Sequence, residues 1–391
     1  MSENKFETNA IRLQTKQTQH GEHSTPLFLT SSFVFDSAEE MRASFADEND
    51  KNIYSRFSNP NNTEFVAKVC QMEGATAGYP FATGMAAVFG TFAALLNSGD
   101  HVLSARAVFG STHTLFTKYF PKWNINTTYF DVADLDRFEE LITPNTKMIY
   151  AESPTNPGLQ ILDLKRLGVL AKKHNLILVI DNCFATPYLQ QPIAYGADLV
   201  IHSATKLIDG QGRVLGGITV GSADLIAEIS AFARTTGPAM SPYNAWTLSK
   251  SLETLTVRVD KHCDNAEKVA AFLAQHELVE EIRYPFHPSH PQYALAKKQM
   301  KRGGNIIAFQ VVGELEAGKK FIDSVALCSR TSNIGDTRTI VTQPALSTHS
   351  KLSVEDRLAV DITDGLIRIS VGLEHPDDII SDLHQALSCL K

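Results

Sequence analysis

The sequence predicts an α/β protein, with a mostly parallel sheet in a large domain and a smaller α+β domain after it. Three observations predict this. Two apolar runs, 176–181 and 199–202, are nearly continuous rather than alternating, as in parallel strands buried on both faces. From residue 59 to 250, strand-like and helix-like patterns alternate, which argues for parallel strands joined by covering helices. From 251 to 391 the alternation gives way to a looser mixture of strands and helices.

Taken in order, residues 1–58 read as an arm rather than a domain. Met1 to Thr18 is polar, without the apolar centre of a secretory signal. Asp36 to Asn52 is charge-rich, with a short helix expected from Glu39 to Phe45. Such a segment cannot bury enough apolar area to fold alone, so it is expected to wrap a neighbour in the same or another subunit. Within the arm, Tyr54 and Arg56 lie two apart on an extended stretch and point to one side. Read alone, they are surface decoration.

In the 59–250 segment, a helix is expected over Asn61–Cys70 and a short strand or turn over Gly78–Thr83. A second helix follows from Gly84 to Leu96, stopped by Asn97-Ser98-Gly99-Asp100. Strands follow at His101–Ser104, Asn126–Phe130 and Lys147–Ala151, then a helix at Leu164–His174. One long helical stretch is expected from Ala245 to Leu273, its core face marked by Leu248, Leu252, Leu255 and Val259. It serves as the spacer to the 251–391 segment. There, Glu280–Tyr284, Ile306–Val312 and Leu366–Val371 read as strands, and Glu316–Val325 and Pro376–Leu390 as helices.

Composition narrows the class. At 391 residues and 43% hydrophobic, the chain is too long for one small core. A net charge of −7 gives no reason to expect nucleic acid or an anionic membrane surface as partner. The five cysteines show no CxxC spacing and suit free thiols in a reducing compartment, with no metal site implied. No apolar stretch approaches the roughly eighteen residues of a membrane span. The sequence therefore predicts a soluble cytoplasmic protein.

The chemistry sits at strand ends. The 199–202 run is followed by Ser203, Thr205 and Lys206, and the 176–181 run ends in Asp181. Ligands bind at the carboxyl ends of parallel strands, so a lysine and an aspartate meet at one sheet edge. That pairing suits pyridoxal phosphate. The lysine carries the aldehyde as a Schiff base, the aspartate keeps the pyridine nitrogen protonated, and the hydroxyls accompany the phosphate. Ser203–Lys206 alone would read as a solvent-facing strand end. A second site changes that reading. Thr83-Gly84-Met85 opens an apolar helix, where free backbone N–H groups and the helix dipole attract a phosphate. A lone glycine there is more often only a tight turn. Arg368 lies mid-strand, either on a solvent face or as a guanidinium fork waiting for a carboxylate.

Together these residues resemble the Cys/Met-metabolism family of pyridoxal-phosphate enzymes, which includes cystathionine γ-synthase, the β- and γ-lyases, methionine γ-lyase and the homoserine-ester sulfhydrylases. The resemblance runs over essentially the whole chain. It is carried by Gln19-His20-Gly21, Tyr54-Ser55-Arg56, Ala82-Thr83-Gly84-Met85-Ala86-Ala87, Glu152-Ser153-Pro154-Thr155-Asn156-Pro157, Asp181-Asn182, Ser203-Ala204-Thr205-Lys206 and Arg368-Ile369-Ser370-Val371-Gly372. It implies a fold-type I, aminotransferase-like architecture and a homotetramer built from dimers that share active sites. It also implies roles: Lys206 as the Schiff-base lysine, Asp181 as the pyridinium partner, and Gly84, Met85, Ser203 and Thr205 as phosphate ligands. Tyr54 and Arg56 are implied as phosphate ligands from a neighbouring subunit, Arg368 as the clamp on the substrate α-carboxylate, and Asn156 as a contact of the cofactor's ring hydroxyl. Thr339 falls where the family is expected to have a serine near the lysine and substrate carboxylate.

Two departures choose within the family. Where most members carry a ring-stacking tyrosine, this chain has Phe109, in Val108-Phe109-Gly110-Ser111. Phenylalanine stacks without offering an acid, which leaves Lys206 and Tyr54 to share the proton work. Ser111 stands where methionine γ-lyases have a reactive cysteine. The Phe-Gly-Ser form, with Arg234-Thr235-Thr236-Gly237-Pro238 and Gly335-Asp336-Thr337-Arg338-Thr339, is most similar to the O-succinylhomoserine sulfhydrylase branch. The implied reaction is γ-replacement in methionine biosynthesis: O-succinylhomoserine and sulfide to homocysteine and succinate. Arg234 is a candidate contact for the distal succinyl carboxylate. The alternatives are cystathionine γ-synthase, acetyl-ester sulfhydrylation or γ-lyase activity in the same scaffold. A cofactor-binding module without catalysis is the alternative from a different class.

Overall fold

The computed structural model describes residues 4–132, 135–350 and 353–391. The large sheet is built from β1 (Ala77–Phe81), β2 (His101–Ala105), β3 (Asn126–Phe130), β4 (Thr146–Glu152), β5 (Ile177–Asp181), β6 (Leu199–His202) and β7 (Gly217–Gly221). Its spatial order is β1-β7-β6-β5-β4-β2-β3. Neighbours are parallel except at β7, which runs antiparallel to both β6 and β1. Strands β2, β6 and β7 are buried along their whole length, as the continuous apolar runs required. The register aligns Glu152 with Asp181 and Asp181 with Ile201, so the polar ends of β4, β5 and β6 emerge at one edge.

The first four helices are α1 (Phe6–Arg12) and α2 (Ala38–Phe45) of the arm, then α3 (Pro60–Glu73) and α4 (Gly84–Leu95) of the large domain. In α3 the Asn59 side chain accepts the Asn61 amide, Pro60 takes the first helical position, and Gly74 closes the end at φ 73°. In α4 the Thr83 side chain accepts the Ala86 amide. The arm is held through side chains of α3: Thr15 N–H and Thr25 Oγ1 both donate to Glu64, at 2.9 and 2.5 Å. It still exposes Leu29 and Val34.

The smaller sheet comprises β8 (Val279–Arg283), β9 (Ile306–Val311), β10 (Ser329–Arg330), β11 (Ile340–Thr342) and β12 (Leu366–Ser370), in the order β10-β11-β12-β9-β8. It carries its own buried cluster around Ile307, Phe309, Phe321, Ile367 and Leu383. Among the described residues no helix is long and apolar enough to cross a membrane.

The expected single helix from Ala245 to Leu273 is two helices, Pro242–Leu252 and Leu255–Leu273. No glycine or proline marks the break. It is stabilised from outside the local sequence pattern: the buried Arg258 donates to the Ser251 carbonyl at 2.9 Å and to the Leu207 carbonyl at 2.8 Å. Short strands β7, β10 and β11 have no counterpart in the sequence reading.

Candidate active site

One cleft gathers most of the chemistry. Gly84, Met85, Phe109, Asn156, Asp181, Ser203, Lys206 and Arg368 all line it, together with Glu152, Cys183, Ser332 and Thr348. It spans about 690 Å³ including its open mouth, ample for a small organic ligand.

Each side chain is placed by the element that ends beside it. Lys206 follows β6, and its Nζ donates to Asn333 Oδ1 at 2.6 Å. Burial lowers the Lys206 pKa, and Arg368 adds to the effect against an opposing pull from Cys183. Asp181 closes β5. Its carboxylate accepts the Cys183 N–H at 3.0 Å and the Tyr150 hydroxyl at 3.3 Å. Burial raises its pKa despite these donors, so a cation brought to this carboxylate would be strongly favoured. Glu152 closes β4 and accepts the Phe109 N–H at 2.6 Å. Burial and the neighbouring Asp181 hold Glu152 well above the usual carboxylate range.

Arg368, on β12 of the smaller sheet, is 2% exposed and reaches across to the large sheet's edge. It donates to Asn156 Oδ1 at 2.8 Å and to the Ser332 carbonyl at 3.1 Å. Burial lowers its pKa to about 10 and leaves it cationic at neutral pH. The solvent-face alternative for Arg368 is thereby excluded.

The anion end of the cleft is the start of α4. The Ala86 and Ala87 amides turn back to Thr83, and Gly84 and Met85, which precede them, line the cleft. A Cβ at Gly84 would stand 2.6 Å from the Ser203 Cβ, so only glycine lets the helix start approach Ser203 this closely. Helix N-terminus, serine hydroxyl, half-buried lysine and strand-end aspartate fit the phosphate, aldehyde and pyridine nitrogen of pyridoxal phosphate.

Other expected residues lie elsewhere. The Thr205 hydroxyl accepts the Gly216 N–H at 3.1 Å and does not line the cleft. Thr339 is fully buried away from it: its hydroxyl donates to Glu374 at 2.9 Å and accepts the Gly372 N–H at 2.9 Å. The contact expected of Thr339 with the lysine belongs to Asn333 instead. Tyr54 is exposed on the arm, and Arg56 lines a separate cavity beside β1. Arg56 and Arg234 both stack on Phe57, at 4.6 and 4.7 Å from its ring centre, and Arg56 Nη1 donates to the Arg234 carbonyl. Asn333 was not singled out from sequence, and Glu152 was quoted only within a motif and given no role of its own. Glu152 carries the same strand-end signal as Asp181, whereas Asn333 sits in a loop without periodicity.

Comparison with known proteins bears on this cleft. Residues 7–388 match the family model described as Cys/Met metabolism PLP-dependent enzyme. An O-succinylhomoserine sulfhydrylase of Pseudomonas aeruginosa is 43% identical, covering 98% of this chain and 96% of its own. An L-methionine gamma-lyase of Porphyromonas gingivalis is 40% identical, covering 98% and 97%. Among solved structures, a Campylobacter jejuni protein designated O-acetylhomoserine (thiol)-lyase superposes with a TM-score of 0.95 at 33% identity. The match covers 98% of this chain and 100% of that one, which carries N'-pyridoxyl-lysine-5'-monophosphate.

Proposed function

We propose that this chain, which belongs to the Cys/Met-metabolism family of pyridoxal-phosphate-dependent enzymes, catalyses γ-replacement on O-succinylhomoserine, with sulfide entering and succinate leaving to give homocysteine. Bound pyridoxal phosphate supplies an electron sink that acidifies the substrate's Cα–H and then its Cβ–H.

The protein's own groups do the rest. Gly84, Met85 and Ser203 would hold the phosphate, Asp181 would pair with the pyridine nitrogen, Phe109 would stack on the ring, and Asn156 would meet its hydroxyl. Arg368 clamps the substrate α-carboxylate, its fork already aimed by Asn156 and the Ser332 carbonyl. Lys206 Nζ, in the lining of the cleft, would move protons at the substrate's Cα and Cβ. Its pKa, lowered by burial, favours the neutral amine that this needs. Asn333 steadies that amine. Tyr54 and Arg56 serve the cleft of a neighbouring copy, in a homotetramer of dimers.

The observation that carries the choice of reaction is Phe109. The residue lining the cleft at this position has no hydroxyl to protonate a departing group. Succinate leaves as a stable carboxylate and needs little such help, whereas the thiolate lost in methionine elimination needs more. The test is a product assay on cofactor-loaded protein with O-succinylhomoserine, with and without sulfide. Homocysteine formed only with sulfide is the expected result. 2-Oxobutyrate and ammonia at similar rates either way would replace this reading with γ-elimination.

A further inference from the structure

We propose that a cavity beside the Lys206 cleft binds the distal carboxylate of the substrate's acyl chain and so selects a dicarboxylic half-ester over the acetyl ester. This rests on the γ-replacement reading above. The cavity is lined by Arg106, His113, Tyr129, Asn156 and His349, among others. It shares Asn156 with the cleft. The remaining partition is thin: Phe109 and Thr348 line the cleft, and their chain neighbours Gly110 and His349 line the cavity. A Cβ at Gly110 would stand 3.4 Å from the Thr348 carbonyl, so the two halves of the partition nearly touch.

The lining is basic. Among the described residues no carboxylate contributes to it. Arg106 supplies a permanent cation, and its ion pair to Asp131 at 3.3 Å is exposed on both sides and weak enough to yield to a ligand. The Arg106 guanidinium lies 5.7 Å from the centre of the Tyr129 ring. Burial pushes the Tyr129 hydroxyl up to about 12, so it stays a neutral donor. It sits 3.0 Å from His113 Nδ1. His349 is buried, and burial, Arg368 and His113 together lower it to about 4. At neutral pH it is therefore an uncharged polar ring in the lining. Among the described lining residues, one cation, two imidazoles and a phenol with no acid beside them suit an anion.

The substrate needs such a place. Lys206 and Arg368 are the cleft's basic side chains, and the α-amine and α-carboxylate chemistry occupies both. A succinyl ester extends beyond an acetyl ester by a methylene and a second carboxylate, and that charge requires a second cation. Arg234, the candidate from sequence, pairs with Asp47 at 3.5 Å and stacks on Phe57, outside the cleft's lining.

The experiment compares wild type, Arg106→Gln and Arg106→Lys holoenzymes on O-succinylhomoserine and O-acetylhomoserine with sulfide, and titrates each with succinate by calorimetry. Arg106→Gln is expected to raise KM for the succinyl ester about tenfold more than for the acetyl ester and to weaken succinate binding by a similar factor. Arg106→Lys is expected to recover most of both. Equal losses on the two esters, no loss on either, or discrimination that depends on Arg234→Ala instead would overturn the proposal. If wild type uses neither succinyl ester nor sulfide, the γ-replacement reading fails by itself. The succinate titration of wild type against Arg106→Gln then still decides whether the cavity holds a dicarboxylate.

Discussion

Lys206 Nζ and Asn333 Oδ1 are joined by a 2.6 Å hydrogen bond that links the large sheet's edge to a loop before β11. The amide accepts without adding charge, so it orients the amine while leaving its pKa to burial. Asn333→Asp places an anion at the same spot and raises the Lys206 pKa. With Lys206 acting as a neutral base once substrate is bound, the rising limb of kcat against pH is then expected to move up by about one unit. Asn333→Ala keeps the limb near its place and lowers kcat about tenfold. An unshifted profile in the aspartate variant would remove Lys206 from the proton work.

Arg368 offers a planar fork from a site only 2% exposed, and lysine cannot reproduce it. Arg368→Lys keeps the charge but loses one charge-assisted hydrogen bond, about 2 kcal/mol or roughly thirtyfold in KM. The absorbance of the bound cofactor should be unchanged, since Arg368 is assigned to the substrate. A loss of cofactor rather than of substrate affinity would contradict the α-carboxylate role.

Gly84→Ala tests the phosphate end. The new methyl would meet Ser203 at its Cβ, 2.6 Å away, and its Cα, 3.0 Å away, which pushes the start of α4 off its position. The rest of α4 packs through Ala87, Val88 and Phe92 and should hold. Cofactor affinity is expected to fall at least tenfold, on the order of the loss of one or two charge-assisted hydrogen bonds, with far-ultraviolet dichroism unchanged. Full retention of cofactor through gel filtration would place the phosphate elsewhere.

What was legible in the sequence follows from burial. Asp181 and Lys206 stood out because parallel strands covered on both faces are written as unbroken apolar runs, and a charge at the end of such a run is conspicuous. Arg368 stood out as a charge in the middle of an apolar run, where a buried guanidinium needs a partner. Asn333 did not, because it sits between β10 and β11, strands of two and three residues with no period to read. Thr339 sits away from the cleft because its hydroxyl is held by Glu374 and Gly372, contacts set by the tertiary fold. The break at Glu253-Thr254 was invisible for a related reason: Arg258 stabilises it from the following helix rather than a local breaker residue causing it.

His262 sets an acid limit on stability. It is fully buried, its Nδ1 lies 2.7 Å from the Val371 carbonyl, and burial lowers its pKa from 6.5 to about 4. The unfolded chain therefore binds this proton first as pH falls, and stability declines between pH 6.5 and 4. The loss for this group reaches about 3 kcal/mol at the lower end. In His262→Asn the unfolding temperature should start lower at pH 7 but fall less on acidification. A parallel decline in both proteins would assign the acid sensitivity to other groups.

Tyr54 and Arg56 make the last prediction, because neither lines the cleft of its own chain. Tyr54 is exposed, and Arg56 is held on the outer side of the large sheet with Arg234 and Phe57. If they complete a neighbouring copy's cleft, Tyr54→Phe and Lys206→Ala chains are each nearly inactive alone but complement when mixed. Random pairing in a twofold dimer makes half the dimers mixed, and each mixed dimer has one cleft with both residues intact, about a quarter of all sites. Recovery near that fraction after co-expression is the expected outcome. Were Tyr54 to act within its own chain, each cleft of a mixed dimer would lack one of the two residues and no activity would return.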